Sequence, residues 1–410
     1  MSGKPALKRV LTLPHLLLYG LGTTIGAGIY ALVGELAAVS GYSALASFVL
    51  AALLASLTAL SFAELSARFP FAGGAATFVR EGLGSRHLST LVGLLVVLAG
   101  LVSAAAIINA MIGYLYLYLS WPRLPLVLGL TLLLGLVAWW GIAESVTVAG
   151  LITLLELGGL LLVIWVSRGA LTGSLATWEP LLEGFHVSHW SLIAAGALLG
   201  FYAFIGFEDM VVVAEEVRNV RRTLPLAILL TLLITTLLYL LVMSAALLTF
   251  TPQQLAGSSA PLVDVYRAYH PETAWLISGV GMFAIVNGAL IQIIMASRVL
   301  YGLASRGQLP GWLAQVGART RTPTAATLLA SVMVALLAVL GRLGALAEIT
   351  SAIMLSVFAI ANLALWRVHR RPDKGAEEPW FQCPRWVPVL GMFVCLWFVF
   401  HFATGLLIRL

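Results

Sequence analysis

The strongest constraint on this chain is a succession of apolar runs, each long enough to cross a lipid bilayer as a helix. A crossing takes about 20 apolar residues. Only 10% of the residues are charged, whereas a soluble domain carries about a quarter. The sequence therefore predicts an all-α polytopic membrane protein with about eleven transmembrane helices. They lie near residues 11–34, 44–65, 88–119, 123–140, 146–166, 190–213, 224–250, 274–303, 324–341, 346–366 and 387–408.

The distribution of Lys and Arg predicts the orientation. If the N-terminus is cytoplasmic, 18 of the 23 basic residues fall in cytoplasmic segments and 5 outside, as the positive-inside rule requires. The net charge of +6 then reflects anionic lipid at the inner leaflet and not nucleic acid. We expect an integral protein of the cytoplasmic (inner) membrane. The scattered histidines and the two cysteines form no metal-binding or cofactor-binding motif. We therefore expect neither a bound metal ion nor a cofactor.

Three glycines interrupt the first apolar run. Gly22, Gly26 and Gly28 lie near its middle, where they weaken a helix. A broken helix in hydrocarbon leaves backbone groups unpaired unless protein, water or a solute satisfies them. We therefore interpret the break as a solute site. The alternative is a close helix-packing face, because Gly22 and Gly26 are four residues apart.

A second interrupted stretch lies five spans later, at residues 200–209. Five is odd, so this copy enters the membrane from the opposite side, which predicts an inverted repeat of 5+5 spans. We expect one domain over residues 1–410, with repeats at 11–166 and 190–366 and an extra helix at 387–408. Paired interrupted helices in inverted repeats indicate a binding site near the midplane, which favours the solute-site interpretation.

Five motif groups in the same order resemble the amino acid permeases of the amino acid–polyamine–organocation superfamily. They are Gly22-x-x-Ile25-Gly26-Ala27-Gly28-Ile29, Ala63-Glu64-Leu65 with Arg68-Phe69-Pro70-x-x-Gly73-Gly74, Phe204-x-Gly206-Phe207-Glu208 with Ala214-Glu215-Glu216-Val217-x-Asn219, Arg221-Arg222-x-x-Pro225, and Ser297-Arg298-x-x-Tyr301-Gly302-x-Ala304 with Gly307-x-Leu309-Pro310. The resemblance implies the LeuT-like fold, with discontinuous helices 1 and 6, and amino acid transport by alternating access. Family members usually have twelve spans, one more than this chain.

The two breaks can satisfy both ends of a zwitterion. The N–H groups after the first break suit a carboxylate, and the carbonyls before it suit an ammonium. The second break offers further carbonyls, and the resemblance implies these backbone contacts. The expected substrate-binding residues are Thr24, Ile25, Gly26, Ala27, Gly28, Tyr202, Ala203, Phe204 and Ile205.

Two aromatic residues flank the second break. The resemblance implies that such residues gate the site, and Phe204 is slightly preferred over Tyr202 for this role. The alternative is that both are ordinary core aromatics.

Glu156 and Glu208 are the candidates for proton coupling, because ionisable groups inside a membrane are costly and usually functional. Glu156 stands where many relatives place a lysine that substitutes for sodium, and a buried carboxyl could titrate instead. The alternative role for Glu156 is structural: its carboxyl, neutral or paired, would hold span 5 to a neighbouring helix. The alternative for Glu208 is a cap on the restarted half-helix of span 6.

Other polar residues are expected to be structural. Salt bridging at the cytoplasmic mouth is favoured for Glu64, Arg68 and Arg80. Interhelical hydrogen bonding is the default for four amides inside the spans, with cavity lining as the minority interpretation. The amides are Asn109, Asn287, Gln292 and Asn362.

These observations predict an amino acid permease, coupled to protons and without enzymatic activity. Its partners are a small-molecule substrate, a coupling proton and membrane lipid. The alternative is a carrier or exchanger of cationic amino acids or polyamines, in which Glu156 or Asp209 meets the extra positive charge. A channel and a non-transporting membrane sensor are more remote alternatives.

Overall fold

The computed structural model describes residues 9–71, 74–141, 146–371 and 380–409, without the side chains of Ala27, 146–149 and 406–409. These residues form an all-α bundle, as predicted. The α-helices are α1 (Leu13–Ser40), α2 (Ala44–Arg68), α3 (Gly74–Leu83), α4 (Arg86–Leu115), α5 (Arg123–Trp140), α6 (Val146–Val166), α7 (Arg168–Leu171), α8 (Leu175–Glu183), α9 (Trp190–Phe201), α10 (Val220–Thr249), α11 (Pro252–Ala256), α12 (Pro261–Arg267), α13 (Ala274–Ser305), α14 (Thr324–Leu340), α15 (Leu343–His369) and α16 (Trp386–Arg409).

Eight stretches of the described chain are long and apolar enough to cross a membrane. The first, Leu13–Arg68, contains both α1 and α2, joined by a 3₁₀ turn at Gly41–Ser43. Two shorter apolar helices, Gly150–Val166 and Thr324–Leu340, belong to the same bundle. When α1 and α2 are counted separately, the eight stretches hold nine helical segments, and the two shorter helices bring the number within the described ranges to eleven. The sequence predicts the same number.

Several helices are longer than a bilayer crossing needs, among them α4, α10 and α13. α4 has 30 residues and α13 has 32, which corresponds to about 45 Å or more at 1.5 Å per residue. The hydrocarbon core is about 30 Å thick, so helices of this length tilt or extend beyond it. α4 and α13 pack against each other, and they form one wall beside α1.

α1 lies at the centre of the bundle, where it contacts α6, α9, α10 and α13. Around it the core is closely packed and largely aromatic on one side. The Phe62 ring meets the rings of Phe78, Phe207 and Phe358 at centroid distances of 5.5, 5.8 and 5.3 Å, in edge-to-face geometry. Such contacts stabilise a core beyond the area they bury, and here they connect α2, α3 and α15 to the segment after α9.

Both predicted interruptions are present. In α1 the backbone leaves the helical region at Gly26, with φ 12° and ψ −139°. The second lies after α9, where a 3₁₀ turn at Tyr202–Phe204 leads to extended Ile205 and then to Gly206. A second 3₁₀ segment follows at Phe207–Glu216. Each interruption divides one membrane-spanning segment into two halves.

Candidate functional site

The two interruptions meet at one small cavity. Its volume is about 40 Å³, which is room for about three water molecules. The α1 side is lined by Gly22, Thr23, Thr24, Gly26 and Gly28. The second break contributes Tyr202, Ile205 and Asp209, and α4 and α13 contribute Ser103 and Gln292 among others.

Threonine hydroxyls hold the turn that precedes the first break. Thr24 Oγ1 donates to the carbonyl of Gly20 at 2.8 Å. Thr23 Oγ1 lies 3.1 Å from the same carbonyl and 3.0 Å from the carbonyl of Gly206. The second contact links the two breaks directly, because Gly206 belongs to the other interrupted segment.

Tyr239 of α10 joins the two breaks a second time. Its hydroxyl lies 2.8 Å from the carbonyl oxygen of Thr24 and 2.9 Å from that of Ala203, and the residue is completely buried. A broken helix leaves such carbonyls without their helical partners. The hydroxyl has one hydrogen, so the two carbonyls share a single donor. The sequence analysis did not predict this role of Tyr239. The only signal for it in the sequence is a tyrosine, whose hydroxyl needs a hydrogen-bond partner, inside an apolar run.

Glycine is required at two of these positions for different reasons. Gly206 has a φ of 131°, a conformation that other residues rarely adopt, and a Cβ there would collide with the carbonyl oxygen of Thr23. At Gly28 a Cβ would lie 3.0 Å from the Cα of Ala203. A Cβ on Gly26, by contrast, would meet no atom within 4 Å, so a longer side chain has space to enter the cavity that Gly26 lines.

The predicted binding residues separate into two groups. Thr24, Gly26, Gly28, Tyr202 and Ile205 line the cavity. Ile25, Ala203 and Phe204 are fully buried and contribute no lining surface. The side chain of Ala27 lies outside the described part of the chain, as does Gly73 of the second motif.

The 3₁₀ turn explains why Tyr202 lines the cavity and Phe204 does not. Side chains three residues apart eclipse each other in a 3₁₀ helix, so Tyr202 and Ile205 lie on the same side. Phe204 lies on another side and packs against Phe48 and Tyr239, at centroid distances of 6.3 and 5.3 Å. Phe204 is thus a core residue here and Tyr202 is the aromatic at the cavity, while the gate role of either residue stays a prediction.

Tyr202 is held in place by α4. Its hydroxyl lies 3.0 Å from Ser103 Oγ, and both residues line the cavity. The ring of Tyr202 is thus tethered across the cavity to the wall formed by α4 and α13.

Glu208 caps the restarted segment of span 6. The N–H of Gly206 donates to its carboxylate at 2.8 Å, which is the capping contact that the sequence analysis weighed against proton coupling. Glu208 does not line the cavity, whereas the next residue, Asp209, does. The sequence analysis named Asp209 only as a residue that could pair with the extra positive charge of a cationic substrate.

Glu156 of α6 is also away from the cavity. The residue is completely buried, and its backbone carbonyl accepts a hydrogen bond from the Tyr30 hydroxyl at 2.7 Å. It lies beside the part of α1 that follows the break. Neither predicted proton-coupling carboxyl therefore lines the cavity, and their role in coupling stays a prediction.

The expected salt bridge between Glu64 and Arg68 is present, and its place at the cytoplasmic mouth stays a prediction. The Glu64 carboxylate accepts hydrogen bonds from Arg68 Nε at 2.8 Å, His369 Nε2 at 2.8 Å and the N–H of Cys383 at 2.9 Å. Arg80 has no such contact with them. This network ties α2 and α15 to the segment that precedes α16.

The same cluster has the ligand types of a metal site but not its electrostatics. Ligand atoms of Glu64, His369 and Cys383 lie within 4.8 Å of one another. Burial and the neighbouring Glu64 carboxylate raise the pKa of the Cys383 thiol, whereas a metal needs a thiolate. Arg68 already neutralises Glu64, so we interpret the cluster as a hydrogen-bonded network.

The four amides inside the spans differ in role. Asn362 accepts from Ser61 Oγ at 2.6 Å, and Asn109 donates to the carbonyl of Ala338 at 3.2 Å, so both make the expected interhelical bonds. Gln292 lines the cavity, which was the minority interpretation. The side-chain oxygen of Asn287 has no hydrogen-bond partner among the described residues.

Comparison with known proteins identifies the family to which this bundle belongs. A family model described as amino acid permease matches residues 11–408. The chain belongs to the amino acid permease family. This finding agrees with the resemblance that the sequence motifs indicate, and it makes the chain a membrane transporter of amino acids.

Individual relatives of this permease carry different substrate names. The branched-chain amino acid permease BcaP of Bacillus subtilis (strain 168) is 29% identical, over 100% of this chain and 91% of the relative. An uncharacterised transporter of Mycobacterium tuberculosis (H37Rv) is 31% identical, over 95% of this chain and 85% of the relative. Human cationic amino acid transporter 4 is 28% identical, over 91% of this chain and 62% of its own length.

Proposed function

We propose that this permease is a proton-coupled symporter that carries amino acids across the cytoplasmic membrane by alternating access. The observation that carries the proposal is the junction of two interrupted helices at one cavity. Exposed peptide groups at such a junction can bind both charged ends of a zwitterion. The family assignment supports amino acids as the substrate class.

In the proposed complex, the substrate carboxylate binds the N–H groups that follow the first break, at Gly26, Ala27 and Gly28. The positive end of the outer half of α1 favours an anion there. The ammonium binds carbonyls beside Thr24, Ile25 and the second break. The carbonyls of Thr24 and Ala203 share the single hydrogen of the Tyr239 hydroxyl, so both keep lone pairs that can accept from the ammonium.

The substrate side chain then faces Tyr202, Ser103 and Gln292. The cavity has room for about three water molecules, so a large side chain would require it to widen. We propose that Tyr202 moves as the gate, because its ring faces the cavity while Phe204 is packed in the core.

Alternating access would move the repeats at 11–166 and 190–366 relative to each other, with the helix at 387–408 as an addition. The end of the bundle next to the N-terminus offers a closing contact for this motion. The N–H of Leu11 donates to the carbonyl of Glu216 at 3.0 Å, and the N–H of Arg218 donates to the carbonyl of Leu11 at 2.8 Å. We propose that this backbone bridge opens when substrate is released inside, with the N-terminus cytoplasmic.

A cationic amino acid or polyamine is the second candidate substrate, and one observation favours it. Asp209 lines the cavity, and a carboxylate there could pair with a second positive charge on the substrate. Relatives named cationic amino acid transporters, in human and in Arabidopsis thaliana, support the same candidate.

Reconstituted uptake tests both candidates. Proteoliposomes that contain the purified protein are assayed with labelled L-leucine, L-arginine and putrescine, with and without an inward proton gradient. We expect saturable uptake of at least one amino acid, stimulated by the gradient. Loss of arginine uptake with retained leucine uptake in Asp209→Asn would assign the cationic role to Asp209. Conductance without saturation would indicate a channel, and binding without uptake would indicate a sensor; either result contradicts the proposal.

Glu156→Gln and Glu208→Gln locate the proton coupling. Gradient stimulation that disappears in one variant identifies that carboxyl as the coupling group, because an amide cannot titrate. If uptake by both variants responds to the gradient as the wild type does, neither Glu156 nor Glu208 is the coupling group.

A further inference from the structure

We propose that Asp209 carries the coupling proton, and that the charge of the substrate decides whether this proton is needed. A neutral amino acid would cross the membrane together with one proton, and a cationic amino acid would cross without one. The inference rests on the proposed transport function. It assigns the coupling to a third carboxyl, besides Glu156 and Glu208.

The side chain of Asp209 faces the junction of the two breaks. Among the described residues that line the cavity there, no other has a carboxyl or a basic group. The backbone N–H of Asp209 donates to the carbonyl of Gly206 at 3.1 Å. Within the described ranges its carboxylate makes no hydrogen bond or ion pair, whereas that of Glu208 accepts from the N–H of Gly206. A free carboxylate inside a membrane protein is costly and indicates a function.

Water can support this carboxylate while the site is empty. The cavity of about 40 Å³ has room for about three water molecules, which can hydrate one carboxylate. A bound amino acid displaces that water. The carboxylate must then be neutralised, because an unpaired charge away from water is strongly destabilised. A proton does this when the substrate side chain is neutral, and a cationic side chain does it by an ion pair.

The charge that crosses is therefore the same for both substrate classes. With a neutral amino acid, a proton from the water on the entry side binds a carboxylate oxygen of Asp209. It leaves to the water on the other side when the substrate is released. With a cationic amino acid, the charge of the substrate side chain takes the place of that proton. One positive charge crosses in each case, and no bond of the substrate breaks.

The 3₁₀ segment after the second break offers the proton a route to water. Asp209, Val212 and Glu215 lie on one side of this segment, because side chains three residues apart eclipse each other in a 3₁₀ helix. Asp209 is partly buried, and Val212 and Glu215 are exposed. Glu215 lies about 12 Å further along the segment, next to Glu216 of the backbone bridge with Leu11. An exposed glutamate indicates water on this side and not lipid.

Other titratable and charged groups face the same route from α1 and α13. Tyr19 of α1 is close enough for Asp209, Arg298 and Glu216 to act electrostatically on its hydroxyl. Arg298 is exposed and follows Ile291, a residue of the cavity wall, by seven positions. It therefore lies on the same face of α13, about 10 Å beyond the cavity. A proton that leaves Asp209 on this side meets these groups.

α2, α3 and α10 pack against other sides of the 3₁₀ segment. The Phe207 ring meets Phe62 of α2, and the sulfur of Met210 accepts from Thr231 of α10. In the part of the chain that the structure describes, the charged residues of these three helices make no hydrogen bond or ion pair with Asp209. They are Glu64, Arg68, Arg80, Glu81, Arg221 and Arg222.

Two competing roles for Asp209 make different predictions. If its carboxylate binds the ammonium that every amino acid carries, Asp209→Asn stops the uptake of neutral and cationic amino acids alike. If its role is structural, Asp209→Asn lowers the melting temperature. We expect neither, because an asparagine is uncharged, as a protonated aspartic acid is, and because the carboxylate makes no bond to the described residues that could be lost.

Counting protons against substrate in proteoliposomes tests the inference. The vesicles contain the purified protein and a pH-sensitive dye, and potassium with valinomycin holds the membrane potential constant. The labelled probes are L-alanine and L-leucine as neutral substrates, and L-ornithine and L-arginine as cationic ones. We expect the wild type to move one proton with each neutral amino acid and none with a cationic one. This measurement needs no variant.

Variants of Asp209 give the second measurement. Asp209→Asn should carry neutral amino acids without protons and without stimulation by a proton gradient. Its concentration of cationic probe at half-maximal uptake should rise at least about tenfold, as the loss of one charge-assisted pair implies. Asp209→Glu should still move protons with neutral probes. Glu272→Gln, at an exposed position near the start of α13, is the matched control and should behave as the wild type.

The outcomes separate the inference from the proposed function. Equal numbers of protons with neutral and cationic probes, or a proton that still accompanies each neutral amino acid in Asp209→Asn, refute the inference while amino acid transport stands. Wild-type uptake of only one substrate class refutes it too, as does loss of neutral uptake in a folded Asp209→Asn. If the wild type carries no probe, the proposed function fails and the inference fails with it.

Discussion

The two interrupted helices break in different ways. In α1 the change is confined to Gly26, and the helix continues on both sides from Leu13 to Ser40. In span 6 the α-helix ends at Phe201, and 3₁₀ structure around an extended residue occupies the chain as far as Glu216. The first break is a local hinge, and the second is an unwound segment.

The difference follows from how each break satisfies its backbone groups. The hinge in α1 uses hydroxyls of its own preceding turn, since Thr23 and Thr24 both reach the carbonyl of Gly20. The unwound segment depends on the Glu208 cap and on the positive φ of Gly206. It should therefore be the less tolerant of substitution, although both breaks border the same cavity. The expectations below test this contrast in order of decreasing effect.

Gly206→Ala should have the largest effect. An alanine at a φ of 131° is strained, and its Cβ would collide with the carbonyl of Thr23, so we expect a loss of roughly 3 kcal/mol or more. Size-exclusion chromatography and thermal unfolding in detergent would measure it. The matched comparison is Gly26→Ala, whose Cβ meets no atom within 4 Å and which should lose less stability than Gly206→Ala. Equal melting temperatures for the two variants would refute the contrast.

Gly26→Leu should remove transport while the protein remains folded. The side chain has space at the hinge and would fill the niche proposed for the substrate carboxylate. We expect a protein that still inserts and folds, with uptake reduced at least a hundredfold, as roughly 3 kcal/mol of lost binding implies. Normal uptake by this variant would show that the substrate does not bind at the first break.

Tyr239→Phe should have an intermediate effect on both breaks. The variant keeps the ring and removes the hydroxyl that reaches the carbonyls of Thr24 and Ala203, which should cost about 1–3 kcal/mol. A lower melting temperature and slower uptake together are expected. Tyr118→Phe, at an exposed position, is the control. An unchanged melting temperature would mean that water replaces the hydroxyl at the junction.

Glu208→Gln should have the smallest effect on stability. The amide oxygen can still accept the hydrogen bond from the N–H of Gly206, so we expect a change below about 1 kcal/mol. Glu208→Ala removes the cap and should cost about 1 kcal/mol more. Thermal unfolding of the two variants compares them. If Glu208→Ala is as stable as Glu208→Gln, the capping contact contributes nothing to the unwound segment.

Sequence reasoning succeeded where the signal is local. The apolar runs predict the eleven segments because burying backbone groups in lipid forces each run to be a helix. The breaks were found because glycine is poor in a helix and because the two stretches stand five spans apart. The Glu64–Arg68 pair follows from a spacing of four residues on one helix.

Reasoning from sequence was weaker where the orientation of a side chain depends on a neighbouring helix. Phe204 was preferred over Tyr202 because the 3₁₀ geometry that rotates one of them into the core is not visible in the sequence. Asp209 and Gln292 were given minor roles, although both line the cavity. Tyr239 was missed because its two partners come from other segments.

The sequence by itself determined that this chain crosses the membrane as helices and where two of them must break, because both properties depend on the chemistry of consecutive residues. Only the tertiary structure decided which side chains surround the cavity and which hydroxyl joins the two breaks. It also decided that Glu35 and Arg342, 307 positions apart in the chain, line one cavity. These are contacts between distant segments, and the packing of the whole bundle determines them.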